Sequence, residues 1–186
     1  RYPHMELKIS SGDRLVDLVR EGIDCVIRAG TPKDSSLVAR RLAVMPEAIC
    51  ASADYLARHG VPSHPDDLLR HQAVGFFASG RDSTYPFELV VDGQPREYQL
   101  AGWLSVNDAS SYLVAAQQGC GLIQLPRYRV QEHLDDGSLV EVLASWHSPG
   151  LPVSAMYPYH RQLSPRVRVF VDWAAMLYRE KFGEPG

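Results

Sequence analysis

The segment from Val106 to Pro126, VNDASSYLVAAQQGCGLIQLP, limits the possible folds more than any other part of the sequence. Asn107 or Asp108 is suited to cap a helix whose apolar side chains recur at one-face spacing. The glycines of the run 119–121 then end that helix and lead into the apolar run 122–125. This order predicts a strand, a helix and a second strand, which form a βαβ crossover. In such a unit the helix begins at the carboxyl end of the preceding strand, where open α/β sheets bind small ligands.

The composition is that of an ordinary soluble protein. With 186 residues, 45% of them hydrophobic and 22% charged, the chain can form one core or two small lobes. A net charge of −3 and scattered basic residues give no general attraction to a nucleic-acid backbone. Cys25, Cys50 and Cys120 lie in apolar runs without a CxxC pair, which favours reduced thiols in a cytoplasmic protein. Since no apolar run approaches about 20 residues, we expect no membrane span.

The first 71 residues alternate strand-like and helix-like patterns. The predicted elements are strands at 5–9, 23–27, 37–42 and 48–51, a short helix ending at Gly22, a helix from Ala53 to Gly60, and a short helix at Pro65. The helix ending at Gly22 lies between two predicted strands, so the connection is expected to be a right-handed crossover in a parallel sheet.

At residues 72–77 the pattern changes, and this segment is predicted to be a first crossing between two lobes. Beyond it, the strands 87–91 and 97–100 are predicted to form a hairpin around Asp92-Gly93, with a loop slightly longer than the tightest type. The other predicted elements are the crossover of 106–126, a helix at 128–134, strands at 139–143 and 153–157, and a long helix after Ser164-Pro165. The sequence therefore predicts a discontinuous first lobe, 1–71 with 152–186, and an inserted second lobe, 72–151. Two crossings predict a hinged cleft suited to a small ligand.

Motifs of covalent and metal chemistry are absent from the sequence. No GxSxG, Walker A, HExxH or SxxK motif occurs. The Gly-Cys-Gly run at 119–121 follows a helix and lacks a third glycine, so it is not a dinucleotide fingerprint. Seven dispersed histidines show no metal-ligand spacing, and no metal or cofactor is predicted. Cys120 lies at a helix C-terminus, where the helix dipole disfavours a thiolate, so a turn residue is favoured over a reactive thiol.

Four short segments follow the carboxyl end of a predicted strand or lie at a crossing: 10–13, 29–31, 75–77 and 107–111. Hydroxyl groups and free helix N–H groups at such places suit a small anion or carboxylate. Each segment taken alone is better explained as a cap or turn without a ligand. Their shared location in the predicted fold favours a binding site.

The chain resembles the effector-binding domain of LysR-type transcriptional regulators in five runs that occur in the family's order. They are 15–30 (LVDLVREGIDCVIRAG), 35–42 (SSLVARRL), 50–62 (CASADYLARHGVP), 65–69 (PDDLL) and 106–126. The resemblance implies an α/β, type-2 periplasmic-binding-protein-like fold of two Rossmann-like lobes joined by two extended hinge crossings. It also implies a cytoplasmic homodimer or homotetramer whose inter-lobe cleft binds a small effector and thereby controls DNA binding by a separate domain.

Two departures from the family pattern concern the start of the chain. The family's N-terminal winged helix-turn-helix is absent from these residues, so operator binding is not assigned to them. The first strand and helix of the effector domain are also expected to be missing, because Arg1–His4 corresponds to the approach to the family's second strand.

The resemblance also implies a set of effector-binding residues. They are Ser11, Gly12, Asp13, Ala29, Gly30, Phe76, Phe77, Asn107, Asp108, Ala109 and Gln124. Phe76 and Phe77 would give the site an apolar floor with polar ends, which suits a small organic acid, including an aromatic one. Asp108 beside the helix start leaves the charge of the effector open.

The function expected on this basis is effector sensing without covalent chemistry, in which ligand binding shifts the lobes and the attached DNA-binding domains. A solute-binding protein of a transport system is the nearest alternative, because it shares the fold. An enzyme on a related two-lobed fold is a weaker one, because no nucleophile or acid–base set is visible.

Overall fold

The computed structural model describes residues 6–12, 17–31, 37–78, 83–159 and 164–183. Its elements, in chain order, are β1 (Val26–Ala29), β2 (Leu37–Met45), β3 (Glu47–Ala51), α1 (Ala53–His59), a 3-10 helix (Pro65–Arg70), β4 (Gly75–Phe76), β5 (Phe87–Val91), β6 (Gln94–Tyr98), β7 (Ser105–Val106), α2 (Ala109–Gln117), β8 (Ile123–Pro126), α3 (Arg127–Asp135), β9 (Val140–Val142), β10 (Leu151–Pro158) and α4 (Pro165–Phe182).

The chain forms two compact units, and their boundaries differ from the predicted lobes. The first unit is Arg1–Met45 with Leu151–Gly186, and the second is Pro46–Gly150. Residues 46–71, which the sequence assigned to the first lobe, belong to the second unit because β3 pairs with β8 and β9. The second boundary falls within one residue of the predicted one.

In the first unit, β10 lies between β1 and β2 and pairs antiparallel with both. One face of α4 buries Val167, Val171 and Ala174 against this sheet, as its apolar stripe predicts. The predicted strand at 5–9 is wrong over residues 6–9, which are exposed and irregular. Within the described part of the chain, the pairing of β1 is antiparallel, so the parallel crossover predicted there is not observed.

In the second unit, the segment 72–76, which ends in β4, makes bridges and backbone hydrogen bonds on both sides and is not a crossing between lobes. It runs parallel to the segment 101–106 on one side and to Leu122 on the other. Val74 N donates to Leu122 O at 3.0 Å, and Gly75 N donates to Leu104 O at 2.8 Å. Since β7 and the start of β8 therefore run in the same direction and α2 joins them, the predicted βαβ crossover is confirmed.

Local signals predicted the ends of several elements. Ser52 caps α1 by accepting a hydrogen bond from Tyr55 N, and the helix ends before Gly60. The predicted helix at Pro65 is a 3-10 helix. The β5–β6 loop is the two-residue Asp92-Gly93 turn with φ of 53° and 75°, so it is tighter than predicted. Positive φ at both residues is typical of a type I′ turn, which Asp-Gly favours.

Candidate functional site

The start of α2 is occupied by the protein's own carboxylate. Asp108 is the N-cap residue, and its Oδ1 accepts hydrogen bonds from Ser110 N at 3.1 Å and Ser111 N at 2.9 Å. Hydrogen bonds from Ser111 lower the pKa of Asp108, because they favour its charged form. Two of the N–H groups that could bind an anionic ligand are therefore already used. A ligand at this end of α2 meets a negative charge.

Aromatic side chains lie beside this helix start. The ring of Phe76 lies 5.2 Å from that of Tyr112 and 6.4 Å from that of Tyr85, measured between centroids. Phe77 N donates to Val106 O at 3.0 Å, which fixes the end of β4 next to the residues that lead into α2. Tyr112 is buried, whereas Phe76 and Phe77 are partly exposed. The second unit therefore has an accessible aromatic surface next to a polar helix start.

Gln124 lies on β8, where its side chain makes internal hydrogen bonds. Its Oε1 accepts from Glu88 N at 2.8 Å, and its Nε2 donates to Glu88 O at 2.9 Å. Gln124 N donates to the Tyr112 hydroxyl at 3.3 Å. In this arrangement Gln124 positions β5 and Tyr112, and both ends of its amide are used.

The predicted site residues fall in both units. Phe76, Phe77, Asn107, Asp108, Ala109 and Gln124 belong to the second unit, and Ser11, Gly12, Ala29 and Gly30 belong to the first. Ser11 and Gly12 are exposed and irregular, and Ala29 ends β1. Gly30 N donates to Pro152 O at 2.8 Å. Asp13 lies outside the described residues.

Two residues next to the predicted site were missed by sequence reasoning. Tyr112 follows Asp108 by one helical turn, and this spacing could have placed it against β4. Tyr85 has no comparable signal, because its N–H donates a hydrogen bond to Phe76 O at 2.8 Å although the two residues are nine positions apart in the chain. The exposed Tyr85 enlarges the aromatic surface around Phe76, and the buried Tyr112 packs against Phe76 from the interior.

A groove of about 460 Å³ lies on α2 and α3, and neither Phe76 nor Tyr112 lines it. It is lined by Ala109, Ser110, Leu113, Val114, Gln117, Leu125, Tyr128, Arg129 and His133. Ala109 is the only predicted site residue in this lining. The aromatic surface around Phe76 is therefore the better match to the predicted residues.

The described residues show no arrangement suited to metal or thiolate chemistry. Within the ranges described above, no group of three or more His, Cys, Asp and Glu side chains could hold a metal ion. Burial raises the pKa of Cys25 to about 11 and that of Cys50 to about 12, so both thiols are neutral at physiological pH. In the same part of the chain, no helix is long and apolar enough to cross a membrane.

Comparison with known proteins identifies the family. The model of the LysR substrate binding domain matches residues 1–178. The chain therefore belongs to this family. It is 38% identical over 96% of its length to the uncharacterized HTH-type transcriptional regulator YhjC of Escherichia coli, and 31% identical over 93% of its length to the HTH-type transcriptional regulator CrgA of Neisseria meningitidis. It spans 60% of the YhjC chain and 57% of the CrgA chain.

A solved structure agrees with the sequence relationship. The regulatory domain of CrgA, a LysR-type regulator, matches with a TM-score of 0.74 and 30% identity, over 95% of this chain and 86% of that one. The predicted fold, a two-lobed α/β architecture of the type-2 periplasmic-binding-protein kind, is thereby confirmed. The relatives are transcriptional regulators, so the transport alternative has no support from them.

Proposed function

We propose that this chain is the effector-sensing domain of a LysR-type transcriptional regulator. A small molecule binds the domain, and its binding changes how a winged helix-turn-helix domain of the same protein engages operator DNA. Family membership and the names of the relatives support this proposal. Because the chain spans 60% or less of those relatives, operator binding, assembly as a homodimer or homotetramer and action in the cytoplasm are proposals about the whole protein.

The aromatic surface next to the start of α2 is the observation that carries the proposed site. Phe76 and Phe77 offer ring faces for an apolar or aromatic ligand body. The exposed Asn107, directly before the N-cap residue of α2, adds an amide with both donor and acceptor groups. Binding sites for small molecules commonly combine such an apolar wall with a few polar groups.

The capped helix start narrows the chemistry of the effector. Asp108 already supplies the negative charge that the α2 dipole favours. A ligand carboxylate would therefore be directed away from Asp108, toward Asn107 or toward other predicted residues. Ser11, Gly12, Ala29 and Gly30 stay predictions for that part of the effector, and Asp13 stays a predicted contact for a polar or positively charged group. We propose a small carboxylate as the effector class. In an aromatic carboxylate, the ring would lie against Phe76.

A thermal-shift screen tests this function. The chain is heated with small aliphatic carboxylates, aromatic acids and amino acids, since a ligand that binds only the folded state raises the Tm, and the rise grows with the logarithm of its concentration above Kd. We expect aromatic or short carboxylates to raise the Tm. A panel in which no carboxylate raises the Tm would contradict the proposed effector class.

Variants then test the site with any compound that binds. Asn107→Ala and Phe76→Leu should each weaken binding several-fold, measured by calorimetry. Gln118→Ala is the matched control for Asn107→Ala, because it removes an exposed amide at the opposite end of α2. If Asn107→Ala and Phe76→Leu bind the compound as tightly as Gln118→Ala and the wild type do, the proposed surface is excluded.

A further inference from the structure

The long helix of the first unit has a second apolar face. One side of α4 packs against the sheet, as described above. On the opposite side, Trp173, Met176 and Leu177 are 47%, 43% and 39% exposed. The half-buried Val169 and Phe170 continue this side toward the N-terminus of the helix. These five side chains form the outer face of α4. A surface helix normally has one apolar face, and an additional exposed one is typical of an interaction site.

The centre of the outer face is held in place by the core. The ring centroids of Phe170 and Trp173 lie 5.8 Å apart, so the two side chains form one aromatic patch. Phe170 also packs against the buried cluster between α4 and the sheet. Aromatic side chains lose little conformational entropy on binding, and their large area makes them common centres of protein interfaces.

The apolar residues of the outer face are arranged symmetrically about Trp173. Val169 lies four positions before it and Leu177 four positions after it, and Phe170 and Met176 lie three positions before and after it. When two copies of α4 pack antiparallel with their Trp173 side chains together, each apolar residue of one copy therefore meets an apolar residue of the other. The outer face is complementary to itself.

The two ends of the outer face carry opposite charges. Arg166 lies seven positions before Trp173 and Glu180 seven positions after it, and both are exposed. Within the described part of the chain, neither has an ion-pair partner. Asp172, on the flank of the helix, already pairs with Arg40. An antiparallel pair of helices brings Arg166 of each copy to Glu180 of the other, whereas a parallel pair would bring like charges together. The charges therefore favour a second, antiparallel copy as the occupant.

We propose that two copies of this chain form a homodimer through the outer faces of their α4 helices, packed antiparallel with Trp173 at the centre. Because both copies use the same residues, the contact closes with twofold symmetry. The proposal gives a surface to the homodimer included in the proposed function, and it requires neither an effector nor operator DNA. Variants of the outer face should bind any effector as the wild type does, so the two proposals can fail separately.

Sedimentation equilibrium over a wide range of protein concentrations tests the contact. We expect the wild type to dimerise reversibly. Trp173→Glu places a charge at the centre of the contact and should raise the dissociation constant by at least about thirtyfold. Since Trp173 is half exposed, the variant should keep the circular dichroism spectrum of the folded protein. A wild type that stays monomeric, or a dimer that persists unchanged in Trp173→Glu, would assign the outer face to another segment or partner and overturn the proposal.

Charge reversal tests the antiparallel direction, and it does not depend on the Trp173 variant. Arg166→Glu and Glu180→Arg each place like charges opposite one another, so each should weaken its homodimer several-fold. An equimolar mixture of the two variants should form a heterodimer with close to wild-type affinity, because both pairs of opposite charges are restored. Arg168→Glu is the matched control for Arg166→Glu, since it makes the same change on an exposed part of α4 beside the outer face. Equal weakening by Arg168→Glu, or a mixture that associates no better than either variant alone, would overturn the proposal.

Discussion

The side-chain amide of Gln124 holds both backbone polar groups of Glu88, at 2.8 Å and 2.9 Å. The same residue donates its backbone N–H to the Tyr112 hydroxyl, and the Tyr112 ring contacts Phe76. A continuous set of contacts therefore leads from the proposed effector surface to the β5 strand. Glu88, at the end of this set, is also the acidic neighbour of Glu47.

Gln124→Ala should lower the free energy of unfolding by about 1–3 kcal/mol. The variant leaves the N–H and C=O of Glu88 without their partners in a partly buried place, and unpaired groups of this kind are costly. Urea denaturation monitored by circular dichroism measures the change. Gln131→Ala, which removes an exposed amide on α3, should change stability by less than about 0.5 kcal/mol. Equal losses in the two variants would show that the Glu88 contact contributes nothing.

Gly121→Ala should prevent stable folding or lower the Tm strongly. A Cβ at this position would lie 2.8 Å from Gln72 O and 2.9 Å from Ala73 C. Both are backbone atoms of the segment 72–76. Gly137→Ala is the matched control, because Gly137 also has positive φ but has open space around it. Gly137→Ala should lower the free energy of unfolding by only about 1–2 kcal/mol, the cost of placing alanine in the left-handed conformation. Similar Tm values for the two alanine variants would contradict the close approach of residue 121 to the segment 72–76.

Features set by neighbouring residues could be predicted from the sequence. The capping carboxylate of Asp108, the cap at Ser52 and the end of α1 at Gly60 each depend on residues within one turn. The crossover around α2 was predictable for the same reason, since its glycines and apolar runs are contiguous. The segment 75–77 was assigned to the predicted site for two reasons, its place at a predicted crossing between lobes and the family resemblance, and the first of these reasons is wrong.

Features set by distant residues could not be predicted. The segment 72–76 lies inside the second unit because the segment 101–106 and Leu122 pair with it, and its own sequence pattern does not distinguish such a paired segment from a crossing between lobes. The partner of Gln124 lies 36 positions away, so its role as a backbone contact was not visible. Tyr85 contacts Phe76 from nine positions further along the chain, and no local spacing indicates that contact.

The stability of the protein should fall between about pH 4.5 and pH 7 because of Glu47. Burial raises its pKa in the folded state from 4.5 to about 7, so the folded protein keeps a proton that the unfolded chain has lost. This contribution is fully present below pH 4.5 and is lost as pH rises through 7. Relative to Glu47→Gln, the wild type should lose roughly 1–3 kcal/mol across this range. The free energy of unfolding of both proteins is measured by urea denaturation at each pH. Parallel dependence on pH in the wild type and in Glu47→Gln would contradict the raised pKa of Glu47.

Replacement of Asp108 should convert the start of α2 into a site for external anions. The carboxylate now occupies the N–H groups of Ser110 and Ser111 and lies at the positive end of the helix dipole. In Asp108→Ala these groups become free, and the acidic charge that repels anions is removed. We therefore expect sulfate to raise the Tm of Asp108→Ala more than that of the wild type. For each protein the rise is measured relative to the Tm in chloride at the same ionic strength.

Asp108→Asn separates the two causes, because asparagine can still cap the helix but carries no charge. If sulfate stabilises Asp108→Asn as much as Asp108→Ala, the charge of Asp108 keeps anions away, and if it stabilises only the alanine variant, the occupied N–H groups do. If sulfate stabilises neither variant more than the wild type, the start of α2 has no capacity for an anion, and the carboxylate of an effector must bind elsewhere in the domain.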